Sequence, residues 1–223
     1  MVAVALVPAA GLGMRFGAGP PKALRLLAGE PLLVHAVRAL LAARSVAQVV
    51  VAVPPGEEES VRRLLPGVVV VAGGATRPES VRLALVASAP ALQVVLVHDA
   101  ARPLVPPSLV DAVAGAVLDG AGAVVPALPV TDTVKRVDAA GRVLGTVDRT
   151  DLRAVQTPQG FSRAVIERAH REGDPSAATD DAGLVEALGL EVVTVPGHDE
   201  AFKVTRPADL LFAETVLAGR LRA

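Results

Sequence analysis

The sequence has no cysteine among its 223 residues, and this absence excludes several kinds of chemistry. Without thiols the chain has no disulfide scaffold, no thiolate nucleophile and no cysteine-based metal site. A strong net charge is also missing, because 22 basic residues face 23 acidic ones. No global positive field draws the protein to nucleic acid or to an anionic membrane, so any phosphate it binds must be held locally.

Long hydrophobic runs are absent as well, although 52% of the residues are hydrophobic. Arg, Asp, Gly or Pro interrupts each apolar stretch before the roughly 20 residues that a bilayer-spanning helix needs. The apolar start at 1–7 lacks basic residues and runs directly into a glycine loop, unlike a signal peptide, so we interpret it as a buried strand. These features predict a cytoplasmic protein with a single domain over residues 1–223.

Short β-branched runs alternate with stretches of helical spacing along the first half of the chain. The runs are continuous rather than alternating, which is typical of strands buried on both faces. They lie at 2–7, 48–53, 68–71, 94–97 and 123–125. The alternation predicts an α/β fold, with a Rossmann-like, mostly parallel sheet sandwiched by helices. Later in the chain we expect helices at 162–171, 180–188 and 207–217, and strands at 191–195 and 201–204.

The segment after Pro126 departs from this pattern and predicts a β-hairpin. Two short extended segments, 133–137 and 142–147, flank the turn sequence Asp138-Ala-Ala-Gly141. A lone two-stranded ribbon is marginally stable in water. We therefore expect residues 131–153 to form a projecting arm that packs against a second subunit in a homodimer. The alternative is a hairpin that folds back on its own domain.

The loop after the first strand suits a nucleotide. Pro8 to Gly17 is rich in small residues whose backbone N–H groups can approach phosphates. Phe16 stands where a dinucleotide fingerprint needs its third glycine, and no P-loop ending follows. Arg15 and Lys22 add the cations that a triphosphate favours, and Lys22 is one of only three lysines in the chain. Its compact ammonium can follow a moving phosphate. A purely structural turn is the alternative.

Polar residues follow the predicted strand at 94–97, at the edge where open parallel sheets bind ligands. Asp99 can accept hydrogen bonds from a polyol, and Arg102 can fork onto a phosphate. The alternative is that Asp99 and Arg102 pair as a loop brace. We interpret His98 as structural, capping or orienting the loop.

Three further groups of polar residues lie elsewhere in the chain. Gly73 and Gly74, with Thr76, Arg77 and Ser80 behind them, form a turn suited to holding a base edge through backbone groups. Lys203 ends a late predicted strand. Thr131, Thr133, Arg149 and Thr157 gather around the hairpin, where they have no evident core role.

Over essentially the whole chain, these motifs resemble those of the 2-C-methyl-D-erythritol 4-phosphate cytidylyltransferases of the non-mevalonate isoprenoid pathway. The string Val97-His-Asp-Ala-Ala-Arg-Pro103 is the most specific of them. The other matching motifs are Pro8-Ala-Ala-Gly-x-Gly-x-Arg15 with Pro21-Lys22, Asp132-Thr-Val-Lys135, Thr146-Val-Asp-Arg149, Thr157-Pro-Gln159 and Lys203-Val-Thr-Arg-Pro207.

The resemblance implies a nucleotidyltransferase-type fold that transfers CMP from CTP to a sugar-alcohol phosphate. It implies that Arg15 and Lys22 stabilise the transition state and that Arg149 and Lys203 position the acceptor phosphate. The implied nucleotide contacts are Pro8, Ala9, Ala10, Gly11, Gly13, Gly74, Ser80 and Ala100. The implied acceptor contacts are Asp99, Arg102, Thr133 and Thr157. Mg²⁺ is the expected cofactor, held mainly by the CTP phosphates, and no protein metal ligand is assigned.

One residue departs from the family pattern, and three other functions are alternatives, of which the sequence disfavours one. Ala75 stands where relatives often carry an acidic residue, so cytosine recognition must rest on backbone carbonyls. A ribitol 5-phosphate cytidylyltransferase would share the fold and much of the nucleotide loop. A module that binds CTP without turnover is another alternative, but it gives Arg149 and Lys203 no function. A nicotinamide-dependent oxidoreductase is disfavoured by Phe16 and by Val53-Pro-Pro, where an acidic residue should end the second strand.

Overall fold

A mixed eight-stranded sheet forms the centre of the molecule, in a computed structural model that describes residues 1–11, 21–174 and 178–220. The strands are β1 (Ala3–Pro8), β2 (Leu26–Leu27), β3 (Glu30–Pro31), β4 (Val46–Val53), β5 (Val69–Ala72), β6 (Val94–Val97), β7 (Ala123–Pro129), β8 (Val134–Val137), β9 (Val143–Val147), β10 (Arg153–Val155), β11 (Gln159–Ser162) and β12 (Val193–Pro196). The helices are α1 (Leu32–Leu41), α2 (Glu58–Leu64), α3 (Arg77–Val86), α4 (Pro107–Leu118), α5 (Arg163–Glu172), α6 (Asp181–Ala187) and α7 (Pro207–Arg220).

The strand order of the main sheet is β10-β7-β11-β6-β1-β4-β5, with β12 paired to β7. Within this main sheet, as far as the structure describes it, four parallel pairings outnumber three antiparallel ones. The chain runs outward from β1 through β4 to β5, and then returns to place β6 on the other side of β1. The strand order therefore reverses between β1 and β6, where sheets of this kind bind ligands.

Both faces of the sheet are covered by helices, which confirms the predicted α/β sandwich. Strand β1 is buried throughout from Ala3 to Val7. Its odd-numbered residues pack with α1, α2 and α4, while Val4 and Leu6 pack with α3, α5 and α6. Because successive side chains of a strand point to opposite faces, a strand covered on both sides must be apolar without a break. This burial on both faces explains why the apolar runs in the sequence are continuous rather than alternating.

The hairpin segment forms a two-stranded antiparallel sheet of its own, from β8 and β9. Its turn contains Gly141 at φ +80°, and the Asp138 carboxylate accepts hydrogen bonds from the backbone N–H groups of Ala140 and Arg142. Most of the side chains on this ribbon are exposed to solvent. Its role as a dimerisation arm stays a prediction.

The prediction of a strand at 201–204 is wrong. A short 3-10 turn covers Asp199–Ala201, and an irregular segment leads from it to α7. The reason is that this segment bonds to a loop rather than to a strand. The N–H of Val204 donates to the carbonyl oxygen of Ala101 at 2.8 Å, and the Arg102 guanidinium donates to the carbonyl oxygen of Ala201.

No helix within the described ranges has the length and apolar character needed to cross a bilayer.

The packing of β11 against α4 yields a test of the fold. A β-carbon at Gly160 would lie 2.6 Å from Cγ1 of Val113 and 3.1 Å from Cγ2 of Val117, so Gly160→Ala overpacks this contact. We expect it to lower the free energy of unfolding by about 1–3 kcal/mol in urea titrations. Gly145→Ala is the matched control, because a β-carbon there meets open space on the ribbon, and its effect should stay within about 0.5 kcal/mol. Equal losses would contradict this account of the packing.

Candidate active site

A cleft of about 230 Å³ opens at the carboxyl edge of the parallel strands, where the strand order reverses. The loops after β1, β5 and β6 form its walls, and the segment before α7 closes one side. The residues predicted from the sequence that line it are Pro8, Ala9, Ala10, Gly11, Lys22, Gly74, Ser80, Asp99, Ala100 and Lys203. The structure thus joins four separate sequence motifs in one site.

The other predicted site residues lie elsewhere. Gly13 and Arg15 fall outside the described residues. Arg102 and Thr157 are buried behind the cleft, in contact with the loop that carries Asp99. Thr133 and Arg149 are exposed at the base of the ribbon and are not among the described residues that line the cleft.

The turn between β5 and α3 approaches the β1 loop closely. A β-carbon at Gly73 would lie 2.5 Å from Cβ of Ala10, so only glycine lets the two walls meet here. The amide of Gly74 donates to Oγ of Ser80 at 3.1 Å, and the amide of Ala75 donates to the carboxylate of Glu79 at 2.8 Å. A turn of two glycines and an alanine is therefore shaped by side chains of the following helix.

Sequence reasoning missed Glu79, although a signal for it was present. Thr76 is the N-cap of α3 and accepts from the amide of Glu79 at 3.3 Å. Thr or Ser followed by Glu three residues later is the capping-box pattern, in which the glutamate turns back to a backbone N–H at the start of the helix. Here it reaches the amide of Ala75, one residue before the cap.

The Asp99 carboxylate is the charged centre of the cleft. Its Oδ2 atom lies 2.7 Å from Nζ of Lys203 and 3.9 Å from Nε of Arg102, while Oδ1 lies 3.7 Å from Nε of Arg77. Burial by itself would raise the pKa of Asp99, but Lys203, then Arg77 and Arg102, hold it well below its ordinary range. Asp99 is thus ionised at neutral pH, and its closest partner is Lys203 rather than the Arg102 of the loop-brace alternative.

Arg102 fastens three segments together. Its Nη1 donates to the carbonyl oxygen of Ala201 at 2.6 Å and its Nη2 to that of Val155 at 3.3 Å. The guanidinium thereby holds the segment that carries Lys203 and the strand that leads to Thr157 against the Asp99 loop. The phosphate contact predicted for Arg102 stays a prediction, while the structure gives this side chain a bracing function.

The buried His98 orients the same loop, which confirms its structural interpretation. Its Nε2 lies 3.1 Å from the carbonyl oxygen of Arg102 and its Nδ1 lies 3.0 Å from Oγ1 of Thr157. A carbonyl oxygen can only accept, so Nε2 carries the proton and the Thr157 hydroxyl donates to Nδ1. The same Thr157 oxygen accepts from the amide of Asp99 at 3.1 Å. Burial lowers the pKa of His98 to about 4, which keeps the ring neutral.

Comparison with known proteins agrees with this geometry. A family model described as 2-C-methyl-D-erythritol 4-phosphate cytidylyltransferase matches residues 3–219. A protein of that name from Frankia casuarinae is 61% identical over 215 residues, which cover 96% of this chain and 80% of the relative. Another, from Streptomyces coelicolor, is 56% identical over 97% of this chain and 85% of its own length. The crystal structure of the Thermus thermophilus protein of the same name covers 98% of this chain and all of its own, with a TM-score of 0.80 at 42% identity.

The neutral, buried His98 predicts a dependence of stability on pH. Its folded-state pKa of about 4 lies below the value of about 6.5 expected in the unfolded chain, so the unfolded state binds more protons between these values. Stability should therefore fall as pH drops from 6.5 towards 4, by up to about 1.4 kcal/mol per pH unit. Asp99 adds little above about pH 5, because stability from a depressed carboxyl pKa is lost only as pH approaches and passes below the unfolded value of about 3.9.

His98→Gln removes this titration and leaves the other ionisable groups in place. Between pH 7 and pH 5, its free energy of unfolding, measured by urea titration, should fall less steeply than that of the wild type. Parallel pH profiles for the two proteins would contradict the buried, neutral histidine.

Proposed function

Because the chain belongs to the 2-C-methyl-D-erythritol 4-phosphate cytidylyltransferase family, we propose that the cleft between β1 and β6 is its active site. The reaction joins CMP from CTP to the phosphate of 2-C-methyl-D-erythritol 4-phosphate and releases pyrophosphate. The product, 4-diphosphocytidyl-2-C-methyl-D-erythritol, is an isoprenoid precursor. The convergence of the β1 loop, Lys22, Asp99 and Lys203 in one cleft carries this proposal.

The acceptor phosphate needs no general base. The second pKa of a phosphate monoester lies near 6, so the dianion predominates at neutral pH and can attack directly. The enzyme must hold the attacking oxygen in line with the α-phosphorus and neutralise charge on the equatorial oxygens. We assign this neutralisation to Lys22, which lines the cleft, and to Arg15, which precedes it by seven residues in the sequence.

The nucleotide lies, in this proposal, between the β1 loop and the β5–α3 turn. The backbone of residues 8–11 and 13 holds the phosphates and ribose, while Gly74, Ser80 and Ala100 border the base. With Ala75 in place of an acidic side chain, the cytosine amino group meets backbone carbonyls, whose direction is set by the hydrogen bonds of Glu79 and Ser80.

The acceptor lies at the Asp99 end of the cleft. The ionised carboxylate of Asp99 accepts hydrogen bonds from the hydroxyl groups of the sugar alcohol, and Lys203, 39% exposed, turns its ammonium to the acceptor phosphate. Arg102 and Thr157 shape this end from behind. Before substrate binds, the Lys203 ammonium and the Asp99 carboxylate neutralise each other's charge, which keeps both side chains in place.

Mg²⁺ is part of the proposal, and the lining of the cleft fits an ion that substrate phosphates hold rather than protein side chains. Asp99 is the one carboxylate among the described lining residues, and both its oxygens face cations. No group of three or more potential metal-ligating side chains occurs in the described part of the chain. The ion would take its oxygen ligands mainly from the CTP phosphates, as Mg²⁺ commonly does. When bound, it would supply positive charge against the charge that develops on the triphosphate.

A homodimer completes the proposed site. The ribbon exposes apolar side chains, including Val143 at 61% and Leu144 at 64%, which a second subunit would cover. Arg149 is exposed just after β9, and we place its guanidinium, together with Thr133, at the acceptor phosphate of the neighbouring subunit. We also propose a cytoplasmic location, which agrees with the absence of cysteine and hence of disulfides.

The acceptor and the donor can be tested in one pyrophosphate-release screen. CTP with 2-C-methyl-D-erythritol 4-phosphate should turn over rapidly, ribitol 5-phosphate should be a poor acceptor, and ATP, GTP and UTP should be poor donors. Equal turnover with both acceptors would overturn the acceptor assignment. CTP binding without pyrophosphate release would instead favour a sensing module.

The shared site can be tested by mixing two inactive homodimers. Lys22→Ala should lower kcat by about 10²–10³-fold, and Arg149→Ala should be similarly impaired. Refolded together in equal amounts, they should regain about one quarter of wild-type activity, because half the dimers are hybrids and each hybrid has one intact site of two. If Arg149 serves its own subunit, every hybrid site carries one lesion, and activity stays at the homodimer background.

A further inference from the structure

Arg77 contacts carboxylates on two sides of the cleft wall, and the reaction proposed above assigns it no function. It is the first residue of α3, directly after the turn assigned to the base, and it lines the cleft. Its Nη1 lies 2.7 Å from Oδ2 of Asp181, and its Nε lies 3.7 Å from Oδ1 of Asp99. One guanidinium therefore faces two carboxylates, one at the acceptor end of the cleft and one in the interior.

The interior carboxylate is unusual. Asp181, at the start of α6, is completely buried, and its Oδ1 lies 3.0 Å from Nε2 of His170. Burial would raise the pKa of Asp181, but hydrogen bonding from His170 and the charge of Arg77 hold it below its ordinary range. A buried ion pair is weak evidence for stability, because apolar residues of similar volume often serve as well or better. The pair with Arg77 accordingly calls for a function beyond stability.

The carboxylate of Asp181 cannot itself meet a substrate, since it is buried and lies outside the described lining of the cleft. It can act only through its partners. The contact distances order the groups as Lys203, Asp99, Arg77 and Asp181, with cations and anions in alternation. A change at the buried end of this row can reach the acceptor pocket through Arg77.

We propose that Arg77 is a positioning residue for the acceptor, anchored at Asp181 so that its guanidinium fixes the Asp99 carboxylate in the orientation that receives the sugar-alcohol hydroxyl groups. This inference rests on the acceptor role proposed above for Asp99. Because Arg77 also begins the helix behind the base-binding turn, it sets the distance between the nucleotide wall and the acceptor wall of the cleft.

The test is a double-mutant cycle of Arg77→Gln, Asp99→Asn and the combined variant, with steady-state kinetics for both substrates and CTP affinity by calorimetry. Arg77→Gln should lower kcat/KM for the acceptor by about tenfold, because the Asp99 carboxylate loses a neighbouring charge that fixes its orientation. The Kd for CTP should change by less than about twofold. In the Asp99→Asn background, the same change should have no further effect, because Arg77 acts through that carboxylate.

Two more variants keep the test decisive if Arg77→Gln folds poorly. Asp181→Asn removes the buried charge without touching the cleft and should reproduce the acceptor defect. Arg77→Lys should recover only part of the lost activity, because one ammonium group cannot fork between two carboxylates as a guanidinium does.

Arg163→Gln is the matched control. Arg163 is an arginine more deeply buried than Arg77, bonded to Oγ of Ser88 and to the carbonyl oxygens of Leu92 and Ala89, away from the cleft. This variant should lower Tm but leave acceptor kinetics unchanged at a temperature where all the proteins are folded. A parallel acceptor defect in this control would reduce the Arg77 effect to general destabilisation and overturn the inference.

The remaining outcomes separate this inference from the function on which it rests. If Asp99→Asn leaves acceptor kinetics intact, the proposed acceptor pocket is wrong. If Asp99→Asn lowers kcat/KM for the acceptor but Arg77→Gln and Asp181→Asn do not, the acceptor pocket stands and only the positioning role of Arg77 is wrong. An equal effect of Arg77→Gln with and without the Asp99 carboxylate would make Arg77 a direct substrate contact instead of a positioning residue.

Discussion

The ion pair between Asp99 and Lys203 is the contact on which the cleft depends. Its two residues are 104 positions apart in the chain, and their 2.7 Å contact joins the loop after β6 to the segment before α7. The pair does not stand alone, because Arg102 and the Val204 amide fasten the same two segments through backbone carbonyls. An exposed ion pair contributes little to stability, whereas one with buried support can hold a charge in a fixed place.

The support beneath this pair is built from neutral groups that are hydrogen-bonded to one another. His98 accepts from Thr157 and donates to the carbonyl oxygen of Arg102, and Thr157 accepts from the amide of Asp99. Each of these polar atoms has a partner, so its burial carries little desolvation cost. These hydrogen bonds hold the loop that carries Asp99 in one arrangement, and preorganised charge is what a phosphoryl-transfer site needs.

The turn between β5 and α3, which we assign to the nucleotide, is held by a different set of contacts. This turn has almost no side chains of its own, so backbone groups can come close to a ligand, and Gly73 can approach Ala10. Conformational freedom of this kind would be costly unless other groups restrain it. Glu79 and Ser80 supply the restraint from the first turn of α3. The helix that begins at Arg77 thus shapes the turn that we assign to the base, and its first residue also faces the Asp99 carboxylate.

The sequence by itself determined the layered fold and the identity of the loops, because strands buried on both faces must be continuously apolar and glycine-rich turns must follow them. It also determined the family, through strings such as Val97 to Pro103. It misassigned residues 201–204, whose strand-like pattern is overridden by bonds to Ala101 and Arg102. Only the tertiary structure placed Thr157 behind Asp99 and tied Arg77 to Asp181, since these contacts join residues 58 and 104 positions apart and no local pattern records which distant groups will meet.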